Sequence, residues 1–156
     1  MRLLPPVSQR QTDLGLLILR VIAGVIFAAH GAQKLFVYGL GGVSGSFAQM
    51  GIPMGELVGP LVAFLEFFGG LALIAGLLTR YVGLGLAGVM LGATLLVHLP
   101  AGFFAPNGIE FTLALFGIVL MFVLTGPGAL SADAMLGRRT AGATRPAEAA
   151  RVRRAA

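Results

Sequence analysis

Four apolar stretches decide most of what this chain can fold into. They run over residues 14–36, 57–79, 81–99 and 110–125. Each is near the ~20 residues that cross ~30 Å of hydrocarbon at helical rise, the fourth being the shortest. Strands are the competing reading of apolar runs, but these are too long, lack alternation and carry Gly-rich patterns suited to helix packing. Composition agrees. Of the 156 residues 57% are hydrophobic and 11% charged, with a mean hydropathy of +0.93. A soluble domain carries about 25% charged residues, and a chain this short has too little interior to hide the excess apolar surface. The fold class expected is an all-α integral membrane four-helix bundle.

The segments between and around the spans fill in the plan. Residues 1–13 form an N-terminal segment, 14–133 a four-span membrane domain, and 134–156 a basic, Ala/Arg-rich tail whose composition suits disorder. Residues 37–56 read as a long Gly-rich loop with a short interfacial helix over 44–50 that stops at Gly51 and Pro53. Arg80 is nearly the whole second connection. Residues 100–109 make the third, with Pro106-Asn107-Gly108 as its turn. Apart from Lys34 and Arg20, the 11 basic residues fall on the side of the two termini. The positive-inside rule then places both termini in the cytoplasm. That one-sided placement also explains the net charge of +5 without nucleic acid, which is not an expected partner. Ala29-His30-Gly31 resembles a signal-peptide cleavage site, but the preceding stretch is long and contains Arg20, unlike an h-region. There is no Trp, leaving Tyr38 and Tyr81 at the predicted helix ends as interface anchors.

Small residues mark packing faces: Gly24 with Gly31, Gly69 with Gly76, and Gly88 with Gly92, Gly85 lying one heptad before Gly92. Ionisable groups inside a bilayer are costly and are functional candidates by default. Here they are Arg20, His30, Lys34, Glu66, His98 and Glu110. Glu66 lies about 14 Å into its span and Arg20 about 9 Å into the first, an axial gap of roughly 8–10 Å that an Arg stem can bridge. An Arg20–Glu66 pair is therefore expected, either as a structural clamp or in a substrate or proton role; the alternative is Arg20 snorkelling to the cytoplasmic interface. Toward the other side, His30 and Lys34 share a helix face. His98, Glu110 and the aromatic pair Phe103–Phe104 arrive at the same level. Together they outline a pocket for a polar headgroup or quinone ring, with histidine available to move protons. Taken singly, Lys34 and Glu110 also read as interface anchors and His98 as an interface histidine.

Several chemistries are excluded. The chain has no Cys, so disulfide relays, thiolate metal sites and Cys-ligated iron–sulfur clusters are out. His30 and His98 differ in depth by about 6–8 Å, a poor match for two axial ligands of one haem. No metal or haem is expected, and no P-loop, dinucleotide fingerprint or nucleophile elbow is present.

At these residues the chain resembles the DoxX family of small bacterial membrane proteins. The matching stretches are LRVIAGVIFAAHGAQKLF (19–36), FAQMGIP (47–53), FLEFFGGLALIAGLLTR (64–80), VHLPAGFFAPNGIEFTLAL (97–115) and GPGALSAD (126–133). The resemblance implies a four-helix bundle in the bacterial inner membrane. It also implies a link to thiosulfate:quinone oxidoreductase and to membrane complexes of oxidative-stress defence and thiol balance. The function expected is a quinone-linked or redox-complex membrane subunit. A membrane quinone would be its cofactor, His30, Glu66 and His98 would do the chemistry, and Arg20, Lys34, Phe103, Phe104 and Glu110 would bind. Because the chain cannot supply electrons itself, a redox partner protein belongs to this expectation. Two alternatives stand beside it: a small transporter or channel component working as a homo-oligomer, and a non-catalytic membrane scaffold.

Overall fold

The computed structural model describes residues 6–138, and all regular structure among them is helical. Helix α1 spans Gln9–Ala32 and continues as a π-helical stretch, Gln33–Tyr38. It starts at a capping box, Ser8 accepting from the Gln11 N–H while the Gln11 side chain reaches back to Ser8. The helix thus begins several residues before the apolar stretch does. Helix α2 (Gly39–Gln49) follows, then α3 (Gly55–Ala75) and α4 (Thr79–Gly92). The last of these also runs on as a π-helical stretch, Ala93–His98, and a 3-10 turn, Leu99–Ala101. Helix α5 is Glu110–Thr125.

Three helical runs are long and apolar enough to cross a membrane: Gln9–Gln49, Gly55–Ala75 and Thr79–Ala101. The 16-residue α5 reaches only about 24 Å by helical rise.

Two connections differ from the sequence reading. Residues 37–56 are not mainly loop: the short helix expected over 44–50 is there, but it starts earlier, as α2 over Gly39–Gln49. Gly39, at φ +69°, breaks the helical path between the π-helical stretch and α2. Gly55 and Gly59 on α3 then leave room for Phe47, Ala48 and Val43 of α2 to pack against the backbone. The α3–α4 connection is Gly76–Leu78, and Arg80 lies within α4. Gly76 does not extend a packing face with Gly69; it caps α3 at φ +69°.

Close backbone approaches set the register of α1 on α3. A Cβ on Gly24 would sit 2.7 Å from the Gly70 carbonyl oxygen, one on Gly70 2.6 Å from the Gly24 oxygen, and one on Gly31 2.6 Å from Phe67 Cα. In lipid, such close packing holds helices together in place of a hydrophobic drive. Gly69 meets Val82 and Leu86 of α4. Phe27, Leu73, Leu86, Met90, Leu115, Val119 and Phe122 fill the core between the helices. Gly88 and Gly92, by contrast, have no neighbour within Cβ reach and are not used for helix packing in the bundle.

At the end of the bundle that carries the chain termini, the segment after α5 ties the helices together. Arg20 is 1% exposed. Its Nη1 donates to the Pro127 carbonyl at 2.9 Å and its Nη2 to the Leu130 carbonyl at 2.8 Å. Asp13 Oδ1 accepts from the Ala129 N–H at 2.8 Å. Asp133 accepts from the N–H groups of Leu78 at 2.7 Å and Thr79 at 2.9 Å, capping α4 from 54 residues away. Residues 132–138 are helical, with Arg138 bonded to the Ala129 and Ala134 carbonyls. The remainder of the basic tail expected over 134–156 lies outside the described residues.

Candidate functional site

The expected Arg20–Glu66 pair does not form. The glycine contacts place Arg20 level with Gly76, where a Cβ would run into its guanidinium. Gly76 is about 15 Å along α3 from Glu66 at helical rise. The span ends used to estimate depth from the sequence are not where the helices meet, and that error put the pair within reach. Glu66 instead receives Lys34. Lys34 Nζ lies 2.5 Å from Glu66 Oε2, with side-chain exposures of 20% and 5%. Lys34 comes from the π-helical end of α1. Glu66 is buried on α3. A carboxylate in this setting needs a partner to remain charged, and the ammonium supplies it.

The pair lies in the wall of a cavity of about 650 Å³ between the helices. Lys34, Glu66, His30 and His98 all line it, so four of the predicted site residues converge there. The rest of the lining is overwhelmingly apolar. Ile26 and Phe27 come from α1, Phe47 from α2, Val58 and Val62 from α3, Val89, Met90, Leu96 and Val97 from the α4 run, and Phe111 and Leu115 from α5. Gly88 and Gly92 line it too. The glycine face expected to pack on a helix is therefore what leaves the cavity open. His30 packs its ring on Phe111 with centroids 6.1 Å apart. His98 Nδ1 lies 2.8 Å from the Asn107 carbonyl oxygen. Thr112, also in the lining, shares a 2.8 Å bond with Thr94 Oγ1.

The remaining predicted residues lie elsewhere. Arg20, midway along α1, points to the Gly76 end of α3 and away from the cavity. Phe103 and Phe104 stack edge-to-face on each other, 5.3 Å between centroids, and are exposed rather than part of the wall. Glu110 turns back into its own loop, Oε1 accepting from the Ala105 N–H at 2.8 Å. It thus shapes the connection over the cavity without facing into it.

Sequence reasoning missed the two π-helical stretches. Both contribute to this cavity, Gln33–Tyr38 through Lys34 and Ala93–His98 through Ala93, Leu96, Val97 and His98. A π-turn widens a helix locally and is often found at functional sites. No composition signal marks them here. Phe47 and Met50 fall in the segment read as a short interfacial helix over 44–50, which gave no reason to place them against a cavity.

Comparison with known proteins agrees with this architecture. The DoxX family profile matches residues 15–99. Inner membrane protein YqjF of Escherichia coli K12 is 37% identical over 131 residues, covering 81% of this chain and 95% of that relative. CatD of Bacillus subtilis 168, provisionally named an oxidoreductase, is 36% identical over 121 residues, covering 78% of this chain and 86% of that relative. No solved structure matches the chain. With its apolar helices, its interhelical glycine contacts and these relatives, the chain belongs to the DoxX family and is a multi-pass protein of the bacterial inner membrane.

Proposed function

We propose that this protein is the membrane subunit of a redox system and binds a quinone headgroup in the cavity between its helices. One observation carries the reading: a Lys34–Glu66 pair whose carboxylate is buried and two histidines line a single, predominantly apolar cavity of about 650 Å³. A quinone ring is flat and apolar with polar oxygens at its two ends, which suits apolar walls bearing a few convergent polar groups. The oxidoreductase name of the Bacillus subtilis relative points the same way.

A quinone held there would supply two-electron, two-proton redox chemistry. The chain has no Cys, so the electrons come from a reduced flavin or dithiol on a partner oxidoreductase. The chain's own part is binding and proton handling. Lys34 keeps N–H groups free beyond the one spent on Glu66 and can donate to a ligand oxygen. His30, on the exposed side of the cavity against Phe111, can pass a proton between the headgroup and the surroundings. Arg80 and Arg138 lie at the end shared by the termini. The positive-inside rule turns that end to the cytoplasm, and the cavity then opens in the outer half of the bilayer.

The test is purification in native nanodiscs followed by mass spectrometry of extracted small molecules. A stoichiometric quinone in the wild type, falling below about a tenth in His30→Ala and Glu66→Ala, is the expected result, since both variants remove polar groups from the site. Phospholipid alone in the wild type would overturn the reading and put transport or scaffolding ahead.

A further inference from the structure

His98 ends the π-helical stretch after α4, and its ring lines the cavity. Its Nδ1 lies 2.8 Å from the backbone oxygen of Asn107. A carbonyl oxygen can only accept, so Nδ1 carries the proton. In the neutral ring the other nitrogen, Nε2, is then an acceptor and is the nitrogen left for a ligand.

The loop around Asn107 is cinched so that this carbonyl stays in place. The Gly108 N–H donates to the Phe104 carbonyl at 2.9 Å, the Ile109 N–H to Gly102 at 3.0 Å and the Glu110 N–H to Phe103 at 3.0 Å. Glu110 Oε1 holds the Ala105 N–H. A Cβ on Gly108 would collide with the Phe103 backbone, so the chain crosses itself there with no spare room.

We propose that His98 sets the redox form this cavity prefers: it selects the hydroquinone over the quinone. The inference rests on the quinone reading of the site. A hydroxyl reaching Nε2 donates to it. A quinone carbonyl at the same place would set acceptor against acceptor and leave both groups unpaired in an apolar wall, a cost comparable to a lost hydrogen bond. Lys34 donates to a ligand oxygen in either redox form, so the oxidised form still binds, more weakly. His98 is thus a specificity-determining residue, and Gly108 and Glu110 position it through the Asn107 carbonyl.

The experiment is isothermal titration calorimetry of the full chain in nanodiscs, with empty nanodiscs as the blank. Three short-tailed ligands are compared: a benzoquinone, its hydroquinone under anaerobic conditions, and the hydroquinone dimethyl ether, which has no O–H to donate. The expected result is a hydroquinone bound about tenfold or more tightly than the other two, the factor that one unpaired polar group is worth. His98→Phe, which keeps a ring and removes the acceptor, brings the hydroquinone down to the level of the quinone. Equal affinity of quinone and hydroquinone in the wild type overturns this inference and leaves the quinone reading standing. A hydroquinone preference that survives His98→Phe overturns the role of His98. Heat from none of the three overturns the quinone reading and this inference with it.

Discussion

Lys34 Nζ and Glu66 Oε2 lie 2.5 Å apart, joining the π-helical end of α1 to the middle of α3 inside the apolar bundle. Removing one member leaves the other charged and unpaired in the wall of the cavity. Lys34→Met or Glu66→Leu alone should each cost about 3 kcal/mol of stability, and the two together much less. The check is thermal unfolding in mild detergent as a double-mutant cycle. A double variant as unstable as the sum of the singles would mean that the two residues do not act as a pair.

Arg20 serves structure rather than the cavity. Its two bonds to the Pro127 and Leu130 carbonyls join α1 to the segment after α5. Arg20→Ala should destabilise by about 3 kcal/mol or more, since charged hydrogen bonds are lost and two carbonyls are left without donors. Arg20→Lys should fall between, because one ammonium cannot match a planar two-pronged donor. Ligand binding to the folded Arg20→Lys protein should equal that of the wild type. A selective loss of binding in this variant would return Arg20 to the site.

Asp133 caps α4 by accepting from both the Leu78 and Thr79 N–H groups. Leu78 takes a left-handed backbone conformation at φ +49°, which a non-glycine residue adopts only when held there. Asp133→Ala should cost about 1–2 kcal/mol. Proteolysis within the Gly76–Leu78 turn should quicken in that variant and by a smaller factor in Asp133→Asn, whose side chain keeps one acceptor and sets an NH2 donor against the other N–H.

The glycines separate cleanly by what surrounds them. On Gly70 a Cβ would meet the backbone of Ala28 and the Gly24 oxygen, whereas on Gly117 it would meet nothing within 4 Å. Gly70→Ala should force α1 from α3, costing about 2–3 kcal/mol. Gly117→Ala should change stability by no more than about 0.5 kcal/mol. Comparing the melting temperatures of the two proteins decides it.

The contrast between Gly70 and Gly117 shows what a sequence can and cannot convey. Hydropathy and length made the membrane helices plain, because the span a helix needs is fixed by the bilayer. The same approach found only the second half of α2, since Gly39, Gly41 and Gly42 read as loop in the absence of the α3 face that packs against the helix. It also gave Glu66 the wrong partner. Depth counted from span ends carries no information on the stagger between helices, which here follows from backbone contacts at Gly24, Gly31 and Gly70. The meeting of His30, Lys34, His98 and Glu66 at one cavity could be approached from the sequence because charged and imidazole side chains are rare in such helices. The outward turn of Phe103 and Phe104 and the inward curl of Glu110 depend on a loop conformation that no periodicity encodes.

The bonds of Arg20 have a bearing on how the protein is made. Their acceptors stand 107 and 110 residues further along the chain. A nascent polypeptide emerges from the ribosome at about 5–20 residues per second, so the first span is delivered many seconds before the carbonyls that will receive its guanidinium exist. The cap on α4 arrives equally late, from Asp133. Until the last span has entered the bilayer, the early helices carry unmatched polar groups that only the end of synthesis can satisfy. Biogenesis is therefore completed from the carboxyl-terminal side, and a ribosome stalled before Pro127 would leave an inserted but unfinished bundle, a natural substrate for membrane quality control.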